Sequence, residues 1–428
     1  MSLALFLATP LLSILRNSSV RLPSLAPAKK KMTQPAALSG VKICIVGSGV
    51  CGSSAAFHLS RLQDVSISVF DCGRGPGGRT ATRFSRSLPG VSFNHGTPFF
   101  AAQCDEATEV LERMVERQLG LGRYEGRRMV LDASSGEMRD APDEGPQYVG
   151  SPHMNSWCEA MLSSNPRITQ TYSKTLVEIT YDPAKREFSL RDDEDGVYAG
   201  FGVVLLTSVA TGEERGLSFD LDPSLRRLGA SLRKEGVPSD VDRLVNAMAK
   251  VRSDKTQTLM LAYPTEAAVP FDCLMVENDP ILSKIVILPR QQGLLCLVAH
   301  CTRGYANQFT HLAPPTSVPG KEYKPPEELA GTLRERTEGV LRRVMPSAEL
   351  PAPVMCQLQQ WGAAFAVEGP EEARGDGCLW DGCIGLGVGG DFCGEPLGSC
   401  ESALLCGRAL AMKVEGWLRE GGRDAASK

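Results

Sequence analysis

The sequence predicts an α/β fold in which a parallel-sheet domain, drawn from both ends of the chain, is interleaved with a second, α+β domain. Three observations predict it. The run Val41-Lys42-Ile43-Cys44-Ile45-Val46 ends in Gly47-Ser48-Gly49-Val50-Cys51-Gly52 and passes into an alanine-containing helical segment. A second apolar run, Val65 to Phe70, ends at Asp71. Near the other end of the chain, Cys383 to Val388 closes on Gly389-Gly390-Asp391 and an apolar helix follows. Strands alternating with helices in this way build a parallel sheet, whose strands need crossover connections.

The first turn has the order that a dinucleotide pyrophosphate requires. Gly47 permits the turn, Gly49 lets backbone approach the phosphates, and Gly52 lets the helix pack on the strand. Val50 and Cys51 open that helix, whose free N–H groups and positive dipole end favour an anion. Asp71 stands nineteen residues past Gly52, a spacing at which a carboxylate accepts hydrogen bonds from ribose hydroxyls. Together these features predict dinucleotide binding.

The next residues narrow the ligand. An NAD domain would run into another helix after the acid. Here Cys72-Gly73-Arg74-Gly75-Pro76-Gly77-Gly78-Arg79-Thr80-Ala81-Thr82-Arg83 forms a second glycine loop. Two such loops on neighbouring strand ends can hold a longer ligand, and Arg74, Arg79 and Arg83 offer forked donors to phosphate oxygens. The segment from Gly47 to Arg83 resembles the FAD-binding start of the flavin amine oxidase superfamily, most of all its renalase-type branch. Members have an acid, a short basic stretch, Gly-Gly-Arg and a Thr-Arg pair.

The resemblance covers most of residues 41 to 415. It implies a Rossmann-like FAD-binding domain of three-layer ββα architecture (residues 41–96, 148–210 and 369–418). It also implies a substrate domain on an antiparallel sheet (97–147 and 249–368), with 211–248 as a connection. Phe93 to Phe100 is similar to the family's glycine-centred loop; relatives read Asp-x-Gly-Ala, where this chain has Asn94-His95 and then Thr97-Pro98 after Gly96. Tyr148 to Asn155 is similar to the segment returning to the FAD domain, followed by a helix over Ser156 to Leu162. A strand over Thr175 to Thr180, a hairpin on Asp195-Gly196 and the run Val203 to Thr207 come next. In relatives the strand near Val177 meets adenine through its backbone. Gly390-Asp391 is similar to the last signature of the family, which contacts the ribityl-pyrophosphate region. The helix opening near Cys400, with Glu401 and Ala403 in its first turn, is thereby implied to aim its N-terminus at the flavin. Helix-terminal N–H groups favour the negative charge of a reduced flavin.

Between these segments, Cys104 to Leu119 has helical spacing of Val110, Leu111, Met114 and Val115, and strand-like runs occur at Thr256–Leu261, Ile285–Leu288 and Gly293–His300. Pro314 to Pro326 reads as a proline-rich loop before the amphipathic stretch Leu329 to Val344. Residues 211–248 are polar and partly helical. Trp361, after Gln359-Gln360 where relatives often read His-Arg, falls where relatives place an aromatic beside the flavin, and His95 is the other residue expected on that side of the pocket. The implied reaction is hydride transfer from a small reduced nitrogen compound to flavin N5, then reoxidation by O₂ to H₂O₂. The implied donor is a dihydronicotinamide isomer in renalase-like members and an amine in the wider superfamily. The altered loops also fit a flavin-binding protein without turnover, and a dehydrogenase passing electrons to a quinone is a third reading.

Composition is consistent with this. The chain has 428 residues, 42% hydrophobic and 22% charged, enough for two or three structural units with a full core. No apolar run reaches the length of a membrane span, and a net charge of −4 gives no general attraction to nucleic acid or anionic lipid. Residues 1–40 contain Arg16, Arg21, Lys29, Lys30 and Lys31 and no acid, which reads as a transit peptide for a plastid or, alternatively, a mitochondrion. The 14 cysteines include no CxxC pair, so neither zinc nor a disulfide framework is expected. Cys44, Cys51, Cys296, Cys356, Cys383 and Cys406 read as small buried residues, and Cys393 and Cys400 flank the C-terminal glycine loop.

Overall fold

The computed structural model describes residues 40–207, 221–310, 322–323, 325–347 and 349–422. All of the basic leader except Gly40 lies outside these residues, as do most of the proline-rich segment and the first part of the 211–248 connection.

The chain has a mixed α/β fold with a Rossmann-like domain. Its six-stranded sheet runs in the order Ile168–Tyr172, Val65–Asp71, Val41–Val46, Val203–Leu206, Leu386–Val388, Leu379–Asp381. All neighbours are parallel except the last pair. The first strand sits near the centre, paired with Val65–Asp71 on one side and Val203–Leu206 on the other. Its side chains are buried at Ile43, Cys44 and Ile45, as expected where both faces of a parallel sheet are covered. One face carries the helices Val50–Leu59, Ser156–Ser163 and Cys400–Arg419. Phe188, Leu190 and Phe201, from the three-stranded antiparallel sheet Leu176–Asp182, Glu187–Asp192, Val197–Phe201, join the same core. Small residues bring two helices into backbone contact: a Cβ on Gly407 would lie 2.2 Å from the carbonyl oxygen of Cys51.

The second large sheet has seven strands in the order Met355–Glu368, Arg252–Tyr263, Leu295–Cys301, Leu282–Ile287, Cys273–Glu277, Arg128–Asp132, Met138–Asp140. The helix Pro326–Val344 packs on it through Leu329, Leu333, Val340 and Leu341. Proline at its first position lacks only an N–H that would be unpaired there in any case.

The structure corrects several sequence expectations. The second sheet is not wholly antiparallel, because Cys273–Glu277 pairs in parallel with Arg128–Asp132. The run from Cys383 does not begin as a strand: Asp381 accepts the Cys383 N–H, Gly385 takes φ +81°, and the strand starts only at Leu386. Leu379–Asp381 thus folds back as an antiparallel edge. Cys356 is exposed and Cys383 half-buried; Cys356 lies on Met355–Glu368, the edge strand of its sheet. The described part of the 211–248 connection is two amphipathic helices, Leu221–Lys234 and Val241–Met248, burying Leu225, Leu228, Leu232, Leu244 and Val245. No helix among the described residues is long and apolar enough to cross a membrane.

Candidate functional site

The Val41–Val46 strand delivers Gly47 to the C-terminal end of the central parallel strands with φ +109°, a backbone conformation open to glycine because it lacks a Cβ. Gly49 follows as N-cap of the Val50–Leu59 helix, with no side-chain cap and no acid in the first turn. The first N–H groups of a helix have no intrahelical acceptor, so this end retains its capacity for an anion. The two inner glycines differ in what they face. A Cβ on Gly49 would meet nothing within 4 Å, whereas one on Gly52 would lie 2.0 Å from the Gly47 carbonyl oxygen. Gly49 thus faces open space, and Gly52 is where helix and turn touch.

The second glycine loop lies directly against the first. Gly77 donates to the Ser48 carbonyl oxygen at 3.0 Å. A Cβ on Gly78 would sit 3.3 Å from the Gly49 Cα. Asp71 ties the two together: its Oδ2 accepts from the N–H and hydroxyl of Ser48, both at 2.7 Å, and its Oδ1 accepts from Gly73 N–H at 2.6 Å. A carboxylate offers about four lone-pair sites, and three donors leave capacity for one ligand hydroxyl.

The C-terminal turn closes the other wall. Arg79 forms a bidentate pair with Asp391, Nη1 to Oδ2 at 2.7 Å and Nη2 to Oδ1 at 2.6 Å, and Nη1 also reaches the Ala364 carbonyl oxygen at 3.1 Å. Asp391 is 3% exposed and Arg79 25%. Burial disfavours the Arg79 charge, but the adjoining carboxylate outweighs it and raises the pKa. Paired, hydrogen-bonded charges of this kind can persist in a partly dry site. Ser399 caps the Cys400–Arg419 helix by accepting from Ser402 N–H at 2.9 Å.

These parts line one cleft of about 440 Å³, shared by Gly47, Gly49, Val50, Cys51, Asp71, Cys72, Gly78, Arg79, Gly390, Asp391, Cys400 and Ala403. Trp361 also borders it and a second chamber of about 350 Å³. The Trp361 ring lies against the His95 ring, centroids 5.2 Å apart, and donates from Nε1 to Thr258 Oγ1 at 3.3 Å. Gly96 makes that approach possible, since a Cβ there would lie 2.0 Å from the Arg79 carbonyl oxygen and 3.2 Å from the indole. Burial, helped by the nearby Arg83, pushes His95 down to about 4. His95 is therefore neutral at physiological pH, and its Nδ1 has no partner.

Six predicted positions lie elsewhere. Arg74 is exposed and lines neither cavity; Arg83 instead donates to Gln359 Oε1 at 2.5 Å. Val177 sits at a register shift in the three-stranded sheet and does not line the cleft. Gly52 packs behind the turn and His95 behind Trp361. Glu401 borders the second chamber, where its carboxylate accepts the N–H groups of Gln103 and Cys104 at 2.8 and 2.9 Å. Cys400, which does line the cleft, is pushed up to about 12 by burial, so its thiol stays protonated. Sequence reasoning missed Ser48, Thr207 and Thr97. Ser48 sits inside the glycine motif and could have been read there, because a hydroxyl two residues from a strand end can reach the next strand's acid. Among the described residues no group of three or more histidines, cysteines or acids could hold a metal ion.

Residues 45–117 match the family model of the NAD(P)-binding Rossmann-like domain. Across 88% of the chain, the structure aligns with 99% of wild-type putrescine oxidase bound to putrescine, at 12% identity and a TM-score of 0.56. The chain has the fold of that oxidase. A protein assigned as a protoporphyrinogen oxidase from Exiguobacterium sp. 255-15 aligns equally well, with the same coverage, 11% identity and a TM-score of 0.56. An oxidoreductase from Methanosarcina mazei aligns over 88% of this chain and all of its own length, at 12% identity and a TM-score of 0.52.

Proposed function

We propose that this protein is an FAD-dependent oxidoreductase that oxidises a small reduced nitrogen compound, a dihydronicotinamide isomer or an amine, and passes the electrons to O₂. The observation that carries the reading is the Arg79–Asp391 pair, which joins the N-terminal glycine loops to the C-terminal turn across one cleft. A simple NAD domain needs no such third wall.

The residues fit FAD. Gly49 offers backbone and open space toward the uncapped helix end for a pyrophosphate. Asp71 keeps an acceptor site for a ribose hydroxyl, and Arg79 supplies a partly accessible guanidinium. When bound, FAD would supply two-electron acceptance from the donor and delivery to O₂, giving H₂O₂. The chain's own contribution is position and polarity. Trp361 borders both the cleft and the second chamber and, backed by His95, presents a flat aromatic surface to them. His95 and His300 are both held neutral by burial, which keeps added positive charge away from that surface.

The purified protein, mixed anaerobically with dihydropyridines and amines, provides the test. Bleaching of a flavin spectrum, followed by peroxide when air is admitted, supports the oxidase. A flavin spectrum that no donor changes would instead support binding without turnover, and reoxidation by a quinone but not by air would support a dehydrogenase. The acid-free basic stretch over residues 1–40 supports import into a plastid, tested by fusing it to a fluorescent protein.

A further inference from the structure

The second chamber contains polar groups that the proposed function does not yet use. Lys284, half-buried on the Leu282–Ile287 strand, borders it. No carboxylate pairs with Lys284 among the described residues; its Nζ lies over the Phe99 ring, 5.7 Å from the centroid. A cation–π contact at that distance lies near the outer limit. The other charges at the chamber are already matched. Arg79 is held by Asp391, Arg303 at the mouth lies 3.6 Å from Asp254, and Glu401 is taken up by two loop N–H groups.

A second, independent group points to a ligand. His300 lines the chamber, is 6% exposed, and its Nε2 has no hydrogen-bond partner. A buried polar atom without a partner destabilises the site, and a ligand group that reaches it would relieve that cost. Burial, with Lys284 next in effect, keeps this imidazole neutral. The remaining walls are apolar and aromatic: Phe99, Phe100, Phe365 and Trp361.

We propose that the second chamber takes a small organic anion, a flat apolar body bearing a carboxylate or phosphate that pairs with Lys284 and hydrogen-bonds His300. This rests on the flavin reading only in treating the chamber as the donor's site, and it narrows the donor to one carrying negative charge. A simple cationic amine would place its ammonium against an unmatched lysine.

Calorimetry on the full purified chain tests this with benzoate, phenyl phosphate, benzamide and benzylamine as probes. Benzoate or phenyl phosphate should bind at least ten times more tightly than benzamide or benzylamine, and the tighter of the two identifies the headgroup. Lys284→Met should weaken that binding at least tenfold, while Lys284→Arg should stay within about threefold of wild type. The thermal midpoint of each variant establishes that it is folded. Benzylamine binding as tightly as the anions, or Lys284→Met leaving anion affinity unchanged, overturns the proposal, as does lack of binding by all four probes. The flavin reading fails separately: a colourless protein that still binds benzoate through Lys284 would refute flavin and uphold the anion site.

Discussion

Replacing Gly49 with valine separates ligand binding from folding more cleanly than any other change in this protein. The backbone at Gly49 has φ −68° and ψ −174°, a region any residue adopts, and a Cβ there meets nothing within 4 Å. The fold should therefore tolerate valine. Removing glycine's extra freedom from the unfolded chain contributes about 0.4–1 kcal/mol, roughly offset by the poorer N-cap. Net stability should move by less than about 1 kcal/mol, a few degrees at most in Tm. The added methyls, however, stand where the phosphates must approach the helix N–H groups. Losing two charge-assisted hydrogen bonds of about 1.5–3 kcal/mol each corresponds to a loss of two to four decades in affinity. Gly52→Ala should do the reverse, because its Cβ would lie 2.0 Å from the Gly47 carbonyl oxygen and 2.6 Å from Thr207 Oγ1. That variant should unfold several degrees lower even without ligand. The assay compares flavin absorbance per chain, and the Tm of each variant with that of deflavinated wild type. A Gly49→Val protein that keeps its full flavin content would refute the placement of the pyrophosphate.

Other perturbations test the supporting parts. Asp391→Asn strands Arg79 in a partly buried site and should cost about 3 kcal/mol, measured by urea unfolding, with Arg79→Met/Asp391→Asn recovering part of the loss. His95 has its pKa depressed to about 4, so below pH 6.5 the unfolded chain binds a proton that the folded chain refuses. Its contribution is full above about pH 6.5 and declines as pH falls toward 4, about 2 kcal/mol between pH 7 and pH 5. His58, also lowered to about 4 by burial, acts in the same window. Wild-type urea midpoints should fall over that range, and His95→Asn should narrow the difference. Glu401→Gln replaces one acceptor oxygen with a donor opposite the Gln103 and Cys104 amides; it should cost about 2 kcal/mol and speed amide exchange at those residues.

The parallel core was legible because its signals are local. The β-branched run Val41–Val46, the glycines after it and Asp71 all lie within one strand-helix-strand unit, where spacing reports geometry directly. The C-terminal turn was legible for the same reason, although Gly385 and the Asp381 side chain placed the strand later than the apolar run suggested. What escaped depended on distant pairing. Lys284 and His300 reach one chamber because Leu282–Ile287 lies antiparallel to Leu295–Cys301, with the two residues directly opposite, and nothing in either run's composition announces that. Val177 falls at a register shift between Leu176 and Glu178, a local irregularity that the composition of the strand does not announce. The partly helical character expected of residues 211–248 is seen in Leu221–Lys234, where Leu225, Leu228 and Leu232 form a buried stripe at helical spacing.

The claim that two glycine loops and a distant Gly-Asp turn grip one elongated ligand is tested most directly by identifying what the native protein carries. Heat-denaturing the purified chain and analysing the released small molecules by mass spectrometry should give FAD at close to one per chain, with that yield collapsing in Gly49→Val. A protein that releases no flavin, and binds a nicotinamide dinucleotide alone in the same cleft, would contradict the account.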